Sequence, residues 1–203
     1  MDFEDVATNL LTSALLIIKY FFFLIVSPYK TLRKISLEGD YYEMGLMFFL
    51  VAAYFYFANF IRKFSNPPLI EFVFFLTNFF ISTSFFYLLA KKTQKNLQFK
   101  NLLVTFSYTL FPTLIWFWTN SLLYLLLPPP RTLSIFGRAF SVAYTAFSLS
   151  LLIWKVILVY LSMRFSLRLN FYKIAYFFIL YLCFLIPYSI ILYSFRIFRI
   201  PFV

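Results

Sequence analysis

Long apolar runs, separated by basic or proline-rich breaks, dominate the chain from residue 44 onwards. A helix needs about 20 apolar residues to cross the hydrocarbon core of a bilayer. We predict five transmembrane helices at Met44–Ile61, Leu69–Ala90, Leu102–Leu127, Ala139–Ser162 and Ile174–Tyr193. Because the connections are too short to hold a soluble domain, the five spans are predicted to form one bundle, residues 44–193. Residues 194–203 would then be a short external tail.

Residues 1–43 show a different pattern and are predicted to form an interfacial lead to the bundle. Within the apolar run Leu10–Val26 and just before it, polar residues recur on one helical face: Asp5, Thr8, Asn9, Thr12 and Lys19. This pattern favours an amphipathic helix that lies in the membrane interface or re-enters it. The alternative is a sixth span, which would place Lys19 near mid-membrane at a cost of about 2.5–3.5 kcal/mol. A basic amphipathic segment, Tyr29–Ile35, follows and is predicted to lie on lipid headgroups.

The composition places the chain in a membrane rather than in water. Hydrophobic residues make up 63% of the 203 residues and charged residues 12%, whereas soluble domains average roughly 45–50% apolar and about 25% charged residues. A soluble domain of this length exposes part of its chain to water and cannot bury so much apolar surface. We therefore predict one all-α, multi-pass membrane domain that covers residues 1–203.

Few residues suited to catalysis or metal binding are present. The chain has no His and one Cys, which excludes His-based triads, imidazole metal sites and an intrachain disulfide. Six of the seven carboxylates lie within the first 43 residues, so paired acid and base carboxylates inside the membrane are not expected. We expect no enzymatic activity, no catalytic residue, no metal or other cofactor, and no soluble small-molecule substrate.

The net charge of +11 indicates how the chain is oriented in the membrane rather than which kind of ligand it binds. A soluble protein with this charge would be a candidate for nucleic-acid binding, but here the basic residues lie between apolar runs and anchor the chain at anionic headgroups. With five spans, eleven basic residues fall on the N-terminal side and six on the other. The positive-inside rule then predicts a cytoplasmic N-terminus and an external C-terminus in the inner (cytoplasmic) membrane. Membrane lipids are expected partners, and nucleic acid is not.

Lys155 is the one basic residue well inside a predicted span. In the predicted orientation it lies about seven residues, or ~10 Å, from the cytoplasmic end of that span. A charge at this depth can serve an ion, proton or lipid-headgroup site. The favoured interpretation is that its ammonium extends to the interface while its apolar stem packs in the membrane.

Two prolines interrupt predicted spans. Pro112 in the third span and Pro187 in the fifth each free the carbonyl four residues earlier, that of Tyr108 and that of Cys183. Freed carbonyls can line a cavity or a hinge, although a fixed kink that tightens packing is favoured here. We predict that the third span bends at Pro112 and packs centrally, with the Tyr108 carbonyl bound by a hydroxyl or a buried water.

Polar and small residues within the spans are predicted to hold helices together. The second span carries Asn78 among several hydroxyl residues. The fourth has small residues at helical spacing: Ala139, Ala143, Ala146 and Ser150. Such groups form interhelical hydrogen bonds of ~0.6 kcal/mol each, and close helix contacts, more often than a substrate path. Trp154, beside Lys155, is predicted to serve in packing or as an interface anchor.

Three segments resemble the Yip (Ypt-interacting protein) family of five-span membrane proteins. Ser27–Ile35 is similar to the proline-containing lead-in of bacterial members, and Phe106–Pro112 resembles the family's Gly-Tyr-containing segment that ends in Pro within the third span. Ile153–Lys155, with the basic connection to Ala175, is similar to the region joining the fourth and fifth spans. Ser107 stands where eukaryotic members usually have Gly, and their Asp-Leu-x-Gly-Pro motif and long N-terminal region are missing. The resemblance therefore points to the bacterial branch.

This resemblance implies a non-enzymatic protein that accompanies other integral membrane proteins. Together with the scarcity of catalytic groups, it favours an accessory or scaffold subunit of a membrane protein complex, such as a transport complex. The alternative is a small transporter or lipid-handling protein. Rab GTPase binding, which eukaryotic members imply, is not expected. The candidate residues for these roles are Lys155, Pro112, Tyr108, Asn78, Trp154 and Pro187.

Overall fold

The described part of the chain is built from helices and contains no strand. In the computed structural model of the protein, the described residues are 3–62, 67–94, 97–126 and 135–194. The helices are α1 (Phe3–Val26), α2 (Pro28–Glu38), α3 (Tyr41–Arg62), α4 (Pro68–Lys91), α5 (Phe99–Ser107), α6 (Leu110–Leu126), α7 (Ile135–Ser166) and α8 (Phe171–Ser194). The predicted all-α class is confirmed. The predicted external tail lies outside the described residues, except for Ser194.

Within the described residues, six segments are long and apolar enough to cross a membrane, judged by length and composition. Five of them match the predicted spans to within four residues at either end: Tyr41–Ile61, Pro68–Lys91, Phe99–Leu126, Gly137–Ser166 and Phe171–Ser194. The sixth is Thr8–Val26 in α1. The predicted count of five spans is therefore corrected to six candidate spans in a multi-pass membrane protein.

Helix α1 packs against the bundle with one face and presents apolar residues on the other. The buried residues recur three or four positions apart: Ser13, Ile17, Tyr20 and Leu24. That face contacts α2 and α3. The exposed side includes large apolar residues: Leu11, Leu15, Ile18, Phe22 and Val26. A helix lying in the interface presents a polar face to water, whereas this outward face is mostly apolar, which favours the sixth-span alternative.

Lys19 lies on the exposed side of α1 without disrupting this arrangement. It is seven residues, or ~10 Å, from the end of the helix at Val26. A long lysine side chain can extend over part of that distance and bring its ammonium towards the headgroups. Lys19, which argued against a sixth span, is therefore compatible with a membrane-spanning α1.

Helix α2 is the basic amphipathic segment predicted around Tyr29–Ile35, and its buried face packs on protein. Thr31, Leu32, Ile35 and Ser36 are buried, and the helix contacts α5 and α7. Lys30, Arg33 and Lys34 remain exposed. Pro28 begins the helix, where its missing N–H removes no intrahelical hydrogen bond. The basic side of α2 is therefore oriented away from the bundle, and its contact with lipid headgroups stays a prediction.

Helices α3 and α4 run in opposite directions. Phe48 of α3 packs on Phe79 of α4, while Phe55, further along α3, packs on Phe75, which comes earlier in α4. Such ring pairs fix both the direction and the register of the two helices. Hydrogen bonds described below show the same antiparallel relation for α6 with α7 and for α4 with α8.

The third predicted span is central and is broken into α5 and α6. In an 18-residue apolar stretch of Phe99–Leu126, 78% of the residues are buried, against 17–28% in the other candidate spans. The break falls at Tyr108 and Thr109, four and three residues before Pro112, because proline cannot bond to the carbonyl of Tyr108. That carbonyl instead accepts the N–H of Phe111 at 3.3 Å. The predicted interruption and central packing are confirmed, and a backbone N–H is a partner of the Tyr108 carbonyl, for which a hydroxyl or a buried water was predicted.

Candidate functional site

A cavity of about 220 Å³ lies among α4, α5, α6, α7 and α8. Its walls are mostly apolar, with Phe residues contributed by α4, α5 and α8. Four polar residues also line it: Ser82, Thr109, Lys155 and Tyr181. Val156 of α7 and Leu182 of α8 line the cavity and are themselves 42% and 43% exposed. The gap between α7 and α8 is therefore the side on which the cavity meets the surroundings of the bundle.

Lys155 directs its ammonium into the bundle beside this cavity. Its Nζ lies 2.8 Å from Oγ1 of Thr113, to which it donates a hydrogen bond. Thr113 is 6% exposed and lies in the first turn of α6, directly after Pro112. The prediction that Lys155 extends towards the headgroups is wrong, because an acceptor is available on the neighbouring helix at the depth of Lys155 itself. The lysine is thus placed as an internal cation.

Lys155 belongs to a row of polar residues along α7 that bonds to the central helices. Members of this row lie four or seven residues apart and share one face: Tyr144, Ser148, Lys155, Ser162 and Ser166. Their partners on α5 and α6 are Asn120, Trp116, Thr113 and Thr105, at distances of 2.5–3.3 Å. Spacings of four and seven keep residues on one side of a helix. The polar row therefore fixes the register of α7 and determines the direction of Lys155.

A second polar contact joins α4 to α8 beside the cavity. The hydroxyl of Tyr188 donates to Oδ1 of Asn78 at 2.5 Å, and Ser82 and Tyr181 share a hydrogen bond of 2.6 Å. Asn78 is buried and does not line the cavity, whereas Ser82 and Tyr181 do. The interpretation of Asn78 as an interhelical hydrogen-bonding residue agrees with this geometry.

Tyr108 lies in a separate polar cluster on the other side of the central helices. Its side chain is fully buried, and its hydroxyl donates to Oε2 of Glu43 at 2.5 Å. The ring of Tyr20 in α1 meets the Tyr108 ring edge-on, with 5.9 Å between the ring centroids. The cluster therefore connects α1, α3 and the break between α5 and α6.

The predicted candidate residues do not form a single site. Pro112 is buried next to Thr113 and is thus close in sequence to the partner of Lys155. Trp154 is partly buried and packs against the core, as predicted. Pro187 is exposed, and α8 remains helical through it. Of the predicted candidates, Lys155 lines the cavity, whereas Pro112, Tyr108, Asn78, Trp154 and Pro187 do not.

Two functional candidates were not found from the sequence. Thr113 carried a signal, because it directly follows the proline of the third predicted span and because the polar row on α7 required partners. Glu43 was placed outside the first span, although it shares a helical face with Met47, Val51 and Tyr54, which are buried in the structure. Because almost every position of that span is apolar, the hydrophobic pattern alone does not show which face is buried.

No protein-family model, curated protein or solved structure matches the chain. The chemistry of the site therefore rests on its own residues. Among the described residues, no group of three or more Cys, Asp or Glu side chains is placed to hold a metal ion. What the cavity offers is an apolar space beside one ammonium group, an arrangement suited to binding an amphiphilic molecule.

Proposed function

We propose that the protein is a non-enzymatic, Yip-like integral membrane protein that handles lipids. In this proposal the cavity beside Lys155 holds an amphiphile with an apolar chain and an anionic carboxylate or phosphate. The observation that carries the proposal is the position of the Lys155 ammonium, 2.8 Å from Thr113 and beside a mostly apolar cavity. A cation in such surroundings attracts an anion far more strongly than it would in water.

The ammonium group, more than the apolar wall, would give this site its selectivity. An acyl chain that leaves the bilayer for the cavity exchanges one apolar environment for another and gains little hydrophobic free energy. The Lys155 ammonium can donate a charge-assisted hydrogen bond to any acceptor, but only a ligand with an anionic group adds the attraction between opposite charges. The exposed positions of Val156 and Leu182 support entry from the membrane between α7 and α8.

Lipids that copurify with the protein test this proposal. Lys155→Met keeps the length of the side chain and removes its charge, so we expect the anionic lipid seen by native mass spectrometry to be lost. Lys155→Arg should keep it, and Lys91→Met, which removes an exposed lysine at the end of α4, is the matched control. Equal amounts of the same lipids on the wild type and Lys155→Met would overturn the proposal.

The outward face of α7 favours a second function, that of an accessory or scaffold subunit of a membrane protein complex. Small residues in membrane helices usually mark close helix contacts, yet the small-residue row faces outward and is exposed: Ala139, Ala143, Ala146 and Ser150. Ala143→Leu would block a close approach on that face. Pull-down from native membranes in mild detergent should then lose a partner, and a wild-type chain recovered alone and monodisperse would contradict this role.

The distribution of basic residues supports an orientation in the cytoplasmic membrane. Three connections meet at one end of the bundle, because Lys100 pairs with Asp40 at 3.4 Å and Gln94 bonds to the carbonyl of Arg168 at 3.1 Å. Counted along the sequence, the connections at that end hold ten basic residues: Lys30, Arg33, Lys34, Lys91, Lys92, Lys95, Lys100, Arg164, Arg168 and Lys173. We infer that this end is cytoplasmic and that α1 crosses the membrane. Both termini would then be external, whereas five spans would place the N-terminus inside.

A further inference from the structure

Glu43 is a carboxyl group enclosed within the bundle. It lies in the first turn of α3 and is 3% exposed, the one buried carboxyl among the side chains that the structure describes. Its hydrogen-bonding partner is the hydroxyl of Tyr108, which is itself fully buried. An acidic residue inside a membrane bundle is costly to keep and is commonly tied to function.

The surroundings of Glu43 favour its neutral form. Tyr108 bonds to it from the α5–α6 break, and the ring of Tyr20 in α1 packs against Tyr108. The carboxylates of Glu38 in α2 and Asp40 in the α2–α3 connection act on Glu43 as like charges. The described ion pairs at this end of α3 join Lys100 to Asp40 and Lys34 to Glu38. Among the described residues, no cation lies within ion-pair distance of Glu43.

Two effects of different size act in opposite directions on the charged form of Glu43. The N-terminal turn of a helix gives an anion in a partly buried site a modest stabilisation. Removing a carboxylate from water without a counter-ion costs considerably more free energy than that. The like charges of Glu38 and Asp40 add to that cost. The burial cost is the larger effect, so the neutral acid fits this position better than the carboxylate.

We propose that Glu43 is a proton-binding site that couples proton exchange to the packing of α3 against the α5–α6 break. In the arrangement of this structure the carboxyl holds its proton on Oε1, and Oε2 accepts the hydroxyl proton of Tyr108. Release of the proton leaves a carboxylate that must draw in water or a cation, which separates α3 from Tyr108. Thr109, the residue after Tyr108, lines the cavity, so the proton site borders the lipid site while resting on different residues.

Infrared spectroscopy of the full chain in lipid nanodiscs tests the protonation directly. At neutral pH we expect a protonated-carboxyl stretching band that is absent from Glu43→Gln. Tyr108→Phe should keep the band and move it to higher frequency, because one hydrogen bond is lost. Glu71→Gln, which changes the partly buried carboxyl of α4, is the matched control and should leave the band unchanged. If Glu43→Gln fails to fold, Glu43→Asp should instead move the band.

A wild-type spectrum without such a band would overturn the proposal, as would a band lost in Glu71→Gln and retained in Glu43→Gln.

Thermal unfolding measured across a range of pH tests the coupling between the proton on Glu43 and helix packing. If the folded chain holds a proton that the unfolded chain releases, stability falls as pH rises. In Glu43→Gln we expect the thermal unfolding midpoint to fall less steeply as pH rises than it does in the wild type. A midpoint with the same slope in both proteins would show that proton exchange at Glu43 is not linked to packing.

Discussion

At the scale of the residue, a close approach of backbone segments restricts which side chain a position can carry. A Cβ atom at Gly39 would lie 2.6 Å from Cγ1 of Val104 and 2.6 Å from the carbonyl oxygen of Ile35. The backbone at Gly39 has an ordinary extended conformation, so the restriction comes from space rather than from torsion angles. The connection from α2 to α3 passes α5 this closely because Gly39 has no side chain.

Gly39→Ala should therefore destabilise the bundle. Overpacking of this kind costs about 1–3 kcal/mol, and one of the two obstructing atoms is a backbone oxygen that cannot move without unwinding α2. Gly45→Ala is the control, because its Cβ would meet nothing within 4 Å, and it should be neutral or stabilising by about 0.5–1 kcal/mol. Reversible unfolding in mixed micelles measures both, and equal stabilities for the two variants would contradict the packing described at Gly39.

Thr113 provides a second test at this scale. Thr113→Val removes, at nearly constant shape, the hydroxyl that accepts a hydrogen bond from Lys155, so the ammonium loses that bond and stability should fall by about 1–3 kcal/mol. Thr113→Ser keeps the hydroxyl and should lose much less. Thr145→Val is the control, since the hydroxyl of Thr145 is exposed and bonds within its own helix. A Thr113→Val protein as stable as Thr145→Val would show that Lys155 does not depend on this bond.

The residues of the site were only partly predictable. Lys155 is conspicuous in the sequence because it is a charge in an apolar run, but its direction depends on Thr113, which is 42 positions away. Glu43 was missed for a related reason: its hydrogen-bonding partner Tyr108 is 65 positions away, in the α5–α6 break. Long-range contacts of this kind leave no local pattern in one sequence.

At the scale of the element, local chemistry predicted the break in the third span but not its repair. The backbone rule for Pro112 gives the carbonyl that is freed, that of Tyr108, and the break occurs there. The N–H of Phe111 then bonds to that carbonyl through a tighter turn, which local geometry allows without a side-chain donor.

Helix α1 was harder to interpret from the sequence. Its polar residues suggest a water-facing side until the packed face containing Ile17 and Leu24 is known.

The contact between α4 and α8 should show a measurable coupling. Asn78→Leu and Tyr188→Phe each remove one side of a 2.5 Å hydrogen bond. In a double-mutant cycle we expect an interaction free energy of about 0.6 kcal/mol, and at most ~1.7 kcal/mol, since such bonds in membrane bundles are modest. The pair Thr77→Val and Tyr188→Phe is the control, because Thr77 bonds to its own helix. Additive effects for the first pair would argue against the α4–α8 bond.

At the scale of the whole molecule, the sixth candidate span changes the expected topology. Reporter fusions after residue 203 and in the connection around Lys91–Lys100 should lie on opposite sides, with the connection in the cytoplasm. A fusion before residue 1 should report the same side as residue 203 if α1 crosses the membrane. An N-terminal reporter on the same side as Lys91–Lys100 would show that α1 does not cross the membrane and that the protein has five spans.

The most direct test of the lipid-binding account is to map where an amphiphile lies in the intact protein. A photoreactive fatty acid, added to the full chain in nanodiscs and crosslinked, should label the cavity side of α7 and α8 around Val156, Leu182 and Leu185. Lys155→Met should abolish that labelling and leave the outward face of α1 labelled as before, because those residues contact bulk lipid. Labelling spread evenly over all outward faces, and unchanged by Lys155→Met, would contradict a lipid site at Lys155.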